Sequence, residues 1–271
     1  MRERANILKG KIGRKQVINI ALTVVSLIAF VLIWWALSLY LEGQNLDYLP
    51  PPNVVLDAFV QSLDFDPVTG LPLSTHILAS LNRFFWGFVI AIGIAIPLGL
   101  LMGFISYAKA LGMPAAELIR PIPPIALAPL FFAAFGVLGG AIATVFIGIF
   151  FPVLYNVIFG VSSVDPILLD AARTQGASKF QLFSKVILPF TVPYLMTGVS
   201  IGVGIGWMVI VAAEWIAAPG GGVGSLIFAT YQSGRWPYMF VGLVAIAILG
   251  LLTTSLSRVL ENRVSRWMGF Q

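Results

Sequence analysis

The sequence predicts an all-α integral membrane protein with about six transmembrane helices, and three observations lead to that fold class. Apolar residues make up 59% of the 271 residues and charged residues only 10%, which gives a mean hydropathy of +0.96. Soluble globular domains do not have this composition. The apolar residues also lie in runs long enough to cross a bilayer, and Lys and Arg fall in alternate segments between those runs.

Six apolar runs are long enough to cross about 30 Å of hydrocarbon. They lie near 17–40, 84–105, 118–136, 141–162, 190–213 and 238–257. The third begins with RPIPP, so we expect it to be bent or to begin at the interface. The first run is too long for the apolar region of a signal peptide and lacks an obvious cleavage site, so we expect it to be retained as a span.

The distribution of cations predicts the orientation, because short loops rich in Lys and Arg stay cytoplasmic. The segment 41–82 has no Lys or Arg but five Asp and Glu, as an external segment should. The cations on the other side are Arg2, Arg4, Lys9, Lys11, Arg14, Lys15, Lys109, Arg173, Lys179, Lys185, Arg258, Arg263 and Arg266. We therefore expect cytoplasmic termini. Arg83 and Arg235 remain outside, where we expect them to snorkel from helix ends.

The external segment contains a run of three prolines, 50–52, followed by VVLDAFVQSL. Apolar residues near helical spacing predict an amphipathic helix that lies at the outer interface: Val54, Val55, Ala58, Phe59 and Leu63.

A polar helical hairpin is predicted between the fourth and fifth runs. Asp165 can cap a first helix, and Gly176 stands where that helix should end. Ser178 and Gln181 have the spacing of a capping box for a second helix, which we expect to run as far as Pro189. The hairpin falls on the side assigned to the cytoplasm, so it suits docking of a soluble partner.

This hairpin resembles the signature loop of ABC importer permeases, in which an acidic residue, two alanines and a glycine precede a closing Ile-x-Leu-Pro. The matching residues are Asp170, Ala171, Ala172, Gly176, Val186, Leu188 and Pro189. Asp170 stands where the family usually has Glu, and Val186 where it usually has Ile. The alternative is an ordinary amphipathic interfacial helix, which needs neither a glycine break nor two caps.

The resemblance implies a type I importer fold and a coupling helix that docks on an ATPase. The docking residues would be Asp170, Ala171, Ala172, Arg173, Gly176, Ala177, Ser178 and Lys179. It further implies three parts: a basic arm, first span and external segment (1–75), a core with the hairpin at 165–189 (76–257), and a basic tail (258–271). The setting would be the inner or plasma membrane of a prokaryote.

The partners implied by the resemblance are a second copy of the permease, two cytoplasmic ABC ATPase subunits that hold ATP and Mg, and an extracytoplasmic solute-binding protein. RPIPP, at 120–124, resembles a motif of the subgroup of these permeases that imports nitrate, bicarbonate, taurine or alkanesulfonates. A vitamin precursor such as a pyrimidine or a flavin is the alternative cargo. An ATP-independent channel or carrier would have no use for the hairpin. A carrier would also need buried acid pairs or broken repeat helices to couple an ion gradient, and the sequence lacks them.

Other function classes are disfavoured by what the chain lacks. It has no Cys, one His (His76) and no glycine-rich phosphate loop, so we expect no enzyme activity, metal or cofactor in this chain. A membrane enzyme would need a cluster of acids, His or Ser-Lys, whereas the carboxylates are scattered. The net charge of +5 is spread over short loops, which membrane topology explains better than nucleic-acid binding.

Small residues predict which helices pack closely in lipid. Gly198, Gly202 and Gly206 form a doubled GxxxG pattern in the fifth run, followed by the bulky Trp207. Gly99 and Gly103 form a similar pair in the second run. Each of these glycines is as consistent with packing alone as with gating.

Three residues are candidates for the transport pathway or a gate: Arg120, Trp207 and Glu214. An ionised carboxylate inside the lipid costs roughly 2.5–3.5 kcal/mol of insertion free energy. The side chain of Glu214 should therefore face a cavity or pair with Arg83 or Arg235. The glycine-rich segment that follows Glu214 could form a re-entrant turn at the outer mouth. Arg120 could attract an anion or anchor the chain at the cytoplasmic interface.

Overall fold

The protein is described by a computed structural model over residues 14–216 and 220–267. The basic arm at 1–13 and the last residues of the tail therefore lie outside the described part. The helices are α1 (Arg14–Glu42), α2 (Pro52–Asp64), α3 (Leu73–Phe104), α4 (Ser106–Ile119), α5 (Pro124–Ser162), α6 (Pro166–Thr174), α7 (Lys179–Leu182), a π-helix (Phe183–Ile187), α8 (Leu188–Ile216), α9 (Val223–Gln232) and α10 (Trp236–Trp267). Within the described residues, five helices are long and apolar enough to cross a membrane, where α7, the π-helix and α8 count as one.

The third and fourth predicted spans both lie in α5, which is interrupted at Gly136 (φ 70°, ψ −175°). A Cβ on Gly140 would lie only 2.8 Å from the Cα of Phe132, whereas residues eight apart on a straight helix are about 12 Å apart. The chain therefore reverses at Gly136, and α5 consists of a short arm (124–135) antiparallel to a long arm (137–162). The short arm is about 18 Å long, which is less than the thickness of the hydrocarbon.

The core consists of α3, the long arm of α5 and α8. Contacts between these helices show their relative directions. α3 runs parallel to the long arm, whereas α8 runs antiparallel to it and α10 antiparallel to α8. The contacts that show this are Gly87 with Val145, Gly103 with Val161, Gly198 with Asn156, Gly202 with Ile149, Trp207 with Thr253, and Thr197 with Glu261. The end of α10 therefore lies at the same end of the molecule as α6 and α7, which we call the hairpin end.

α1 is attached to this core at the opposite end, which we call the outer end after the predicted orientation. Trp34 donates a hydrogen bond to the carbonyl of Pro50 (3.1 Å) and stacks on Phe240, with 5.7 Å between ring centroids. α1 therefore begins at the hairpin end. The predicted amphipathic helix is α2, but its buried apolar residues, Val55 and Ala58, pack towards protein rather than lipid: Ala58 belongs to a cluster with α9 and α10.

Close packing of α8 on α5 predicts a clear contrast between two glycines. A Cβ on Gly198 would lie 2.7 Å from the Cβ of Asn156 and 3.1 Å from the carbonyl of Pro152, a backbone atom that cannot rotate away. Gly204, on the same helix, has nothing within 4 Å. We expect Gly198→Leu to destabilise the protein by about 3 kcal/mol and Gly204→Leu by less than about 0.5 kcal/mol.

Thermal unfolding of the two purified variants in one detergent measures this contrast. Equal melting temperatures for the two variants would show that α8 does not pack on α5 through Gly198.

Candidate functional site

The hairpin at 165–189 has the caps that the sequence predicts. The carboxylate of Asp165 accepts a hydrogen bond from the backbone N–H of Ile167 (2.8 Å), and Gly176 ends the first helix with φ +82°. Ser178 and Gln181 form the capping box: the backbone N–H of Ser178 donates to the side chain of Gln181, and the backbone N–H of Gln181 donates to the Ser178 hydroxyl. Two short helices thus meet at a glycine.

The surface of this hairpin is exposed and partly apolar. Of the predicted docking residues, Ala172 and Ala177 are half-buried, and the others are exposed: Asp170, Ala171, Arg173, Gly176, Ser178 and Lys179. Ile167 and Phe180 are 73% and 76% exposed. Asp170 and Arg173 form an exposed ion pair of 3.0 Å. Exposed apolar side chains among charges are typical of a surface that another protein covers.

The second helix of the hairpin does not end at Pro189, contrary to the sequence prediction. α7 continues through the π-helix into α8, and the backbone N–H of Leu188 donates to the carbonyl of Phe183, five residues back. Pro189 donates no hydrogen bond, and its ring would collide with the carbonyl four residues back in a regular helix. The wider π turn just before it accommodates both properties. The hairpin is thereby joined to α8 by continuous helix.

Glu214 lies at the outer end of α8 and is 1% exposed. The sequence leaves Arg83 and Arg235 as possible partners of Glu214. The structure pairs it with Arg83 on α3, with 2.7 Å between Nη1 of Arg83 and Oε1 of Glu214. The prediction that Arg83 snorkels to the surface is wrong, since Arg83 is only 5% exposed, whereas Arg235 is exposed. A buried carboxylate can keep an arginine inside the protein, which removes the need to reach water.

Further donors complete the bonding of Glu214. The hydroxyl of Ser80 lies 2.9 Å from both carboxylate oxygens, and the backbone N–H of Gly224 donates to one of them at 2.9 Å. Arg83 also donates to the carbonyl of Gly221. His76 joins the same group, with Nδ1 2.9 Å from the carbonyl of Gly222. We call His76, Ser80, Arg83 and Glu214, with the turn 220–224, the outer clamp.

The outer clamp ties α3 to α8 and to the glycine-rich turn. Gly222 has φ +146°, and a Cβ there would lie 2.6 Å from the carboxylate carbon of Glu214. Sequence reasoning missed Ser80 and the role of His76, although 76, 80 and 83 lie on one face of a helix by their spacing. Residues 217–219, the start of the predicted re-entrant turn, lie outside the described part of the chain.

The other two pathway candidates lie in different surroundings. Trp207 is 4% exposed, stacks on Phe84 at 4.5 Å and donates to the hydroxyl of Thr253 at 2.8 Å. Arg120 lies in the break between α4 and α5, exposed, beside a cavity of about 340 Å³ that the two arms of α5 share with α8. The structure thus does not bring Arg120, Trp207 and Glu214 together in one site.

Comparison with known proteins identifies a family whose members this chain resembles in sequence. Residues 95–266 match the family described as the binding-protein-dependent transport system inner membrane component. The chain is 36% identical to a putative ABC transporter permease protein of Methanocaldococcus jannaschii, over 88% of each chain. It is 32% identical to the taurine transport system permease protein of Escherichia coli, over 93% of this chain and 91% of that one.

A nitrate import permease protein of Synechocystis is 33% identical, over 88% of this chain and 86% of that one. Among solved structures, a subunit of the MetNI methionine ABC transporter in an inward-facing conformation matches with a TM-score of 0.54 and 20% identity. That match covers 72% of this chain and 95% of the other. At this identity it supports the fold alone.

Proposed function

The chain belongs to the family of binding-protein-dependent transport system inner membrane components, and we propose that it is the permease of an importer for a small anion. It has the type I ABC importer fold and is a transport subunit rather than an enzyme. The anions considered are nitrate, bicarbonate, taurine and alkanesulfonates. Taurine, aliphatic sulfonates and nitrate occur in the names of relatives that are 31–33% identical.

The exposed, doubly capped hairpin is the observation that carries the proposal. It lies at the same end as the cations of α10, which the distribution of charge assigns to the cytoplasm. Two copies of the chain would each present one hairpin to one of two ATPase subunits, and ATP and Mg would be held by those subunits. A solute-binding protein would deliver the anion at the outer end.

Transport would proceed by alternating access. Closure of the ATPase pair on ATP would draw the two hairpins together, and the continuous helix from α7 to α8 would transmit that movement into the membrane. Opening at the outer end would admit the anion from the binding protein, and hydrolysis would restore the inward-open state. The movement would pass from the ATPase pair into the core because the hairpin is joined to α8 by continuous helix.

Copurification tests the proposal. The tagged chain is isolated from its own membranes, its partners are identified, and ATP hydrolysis is measured with nitrate, bicarbonate, taurine or ethanesulfonate in the presence of the recovered binding protein. We expect an ATPase and a binding protein, and stimulation by one of these anions. A chain recovered alone and indifferent to ATP would refute the proposal.

Asp170→Lys is expected to weaken ATPase recovery at least about tenfold, because it places a third cation beside Arg173 and Lys179 on the docking surface. The ion pair with Arg173 is exposed, so its loss should cost at most about 0.5 kcal/mol of stability. Asp57→Lys is the matched control, since Asp57 is an exposed helical aspartate at the outer end. Equal ATPase recovery from both variants would contradict docking through α6.

A further inference from the structure

The cavity beside Arg120 has the size and lining for a small ligand. Its volume of about 340 Å³ is at the lower end for ligand sites in proteins, about 300–1,000 Å³. Most of its wall is apolar, from Ile147 and Phe151 on the long arm of α5 and Ile201 and Ile205 on α8. The polar side chains that line it are Arg120, Tyr155 and Asn156. It lies beside the middle of the long arm and extends from Ile147 towards Asn156, which is nearer the hairpin end.

Arg120 supplies an uncompensated positive charge at this cavity. Its guanidinium carbon lies 4.5 Å from the ring centroid of Tyr155, an arrangement in which stacking holds the group while its N–H edge stays free. Within the described residues, Arg120 forms no ion pair. A fixed guanidinium edge matches two oxygens of a nitrate or a sulfonate.

Asn156 adds hydrogen-bond capacity beside this charge, and Tyr155 adds an aromatic ring. The hydroxyl of Tyr155 is buried and has no hydrogen-bond partner among the described residues. Because this hydroxyl is closed to solvent, an anion in the cavity does not reach it, and Tyr155 contributes the ring on which Arg120 lies. The Asn156 amide donates to the carbonyl of Pro152 at 2.8 Å, which leaves it a second N–H to donate.

The start of α5 adds positive potential from the backbone. α5 begins at Pro124, which lines the cavity, and its N-cap residue Pro123 makes no side-chain cap. The helix dipole favours an anion at this end, although Pro124 has no N–H and the N–H of Ala126 already donates to the carbonyl of Pro123. RPIPP therefore brings a guanidinium and an uncapped helix start to one side of the cavity.

We propose that this cavity is an oxyanion subsite midway along the transport pathway, a proposal that rests on the proposed import function. The guanidinium of Arg120 binds two oxygens of the anion, and the second N–H of the Asn156 amide donates to it. The apolar wall accepts the short alkyl part of a sulfonate. The ligand class is a small monovalent oxyanion, planar like nitrate or tetrahedral like a sulfonate.

The absence of Cys from the chain provides a direct test. Ile122, which lines the cavity, is replaced with Cys in the full chain, purified with whatever subunits accompany it. Two methanethiosulfonate reagents of similar size are compared, one ending in a sulfonate and the other in a trimethylammonium group. We expect Arg120→Gln to lower the ratio of anionic to cationic labelling rates about tenfold, since the charged cleft concentrates anions.

Three controls separate binding from misfolding and from general charge. Arg258→Gln removes another exposed cation at the hairpin end and should leave the ratio unchanged. Arg120→Lys keeps the charge and should retain most of the ratio. Sodium nitrate or ethanesulfonate should slow labelling more than chloride at equal ionic strength, and Asn156→Ala should reduce that protection.

An unchanged ratio in Arg120→Gln, or equal protection by nitrate and chloride, would overturn the subsite. This outcome is independent of the copurification experiment. A chain that shows anion protection but recovers no ATPase would refute only the proposed import function. A chain that recovers the ATPase and binding protein without anion protection would refute only the subsite.

Discussion

Glu214→Ala is expected to destabilise the protein by about 3–5 kcal/mol, because it leaves Arg83 buried without a countercharge. Arg83 would keep its bond to the carbonyl of Gly221, but that single acceptor does not compensate a buried cation. The hydroxyl of Ser80 would lose its carboxylate acceptor, and the N–H of Gly224 would lose its partner. The loss therefore falls on a network and not on one bond.

A melting experiment in detergent with three variants isolates the buried charge. Asp170→Ala breaks the other ion pair of the described residues, between exposed side chains, and should change stability by at most about 0.5 kcal/mol. Glu214→Leu combined with Arg83→Met removes both charges and should be more stable than Glu214→Ala alone, since paired removal is often tolerated. A melting temperature for Glu214→Ala equal to that of Asp170→Ala would show that the pair is not buried.

The outer clamp also has a consequence for transport. It ties α3 and α8 together at the end where a binding protein would dock, and α8 continues from the hairpin at the other end. A movement of the hairpin along α8 would therefore reach α3 and the turn 220–224 through Glu214. A variant that weakens the outer clamp should alter the packing of α3, α8 and the turn 220–224 at the outer end, even though the hairpin is unchanged.

Local capping signals were predictable from the sequence, whereas distant pairings were not. The caps at Asp165, Gly176 and Ser178 depend on residues within three or four positions, so the sequence determines them. Glu214 and Arg83 are 131 positions apart, and the sequence could only reduce the choice to two arginines. The burial of Arg83 could not be read from topology rules, which assign a lone arginine to the interface.

Hydropathy also conceals where a chain reverses inside the membrane. The turn at Gly136 stands between Phe135 and Val137, and the sequence on both sides is apolar, so no polar loop announces it. The short arm was accordingly predicted as a full span. The π-helix was missed for a related reason, since proline usually marks the end of a helix and Pro189 does not.

Gly176→Pro is expected to abolish ATP-driven transport while the chain still inserts in the membrane. Proline holds φ near −65°, whereas Gly176 needs φ +82°, so the two helices of the hairpin could not meet at their present angle. The N–H of Gly176, which donates to the carbonyl of Arg173 at 2.9 Å, would also be lost. No atom lies within 4 Å of a Cβ at this position, so the effect comes from the backbone and not from crowding.

Gly234→Pro is the matched control for this change. Gly234 has φ +66° and open space, and its N–H donates to the carbonyl three residues back, at Tyr231, as that of Gly176 does to Arg173. It follows α9 at the outer end, so the same backbone defect is placed away from the proposed docking surface. We expect ATPase copurification to be lost in Gly176→Pro and kept in Gly234→Pro, at similar expression of both. Retention of the ATPase and of anion-stimulated hydrolysis by Gly176→Pro would refute docking through the hairpin, because the substitution changes the angle between its two helices without crowding the core.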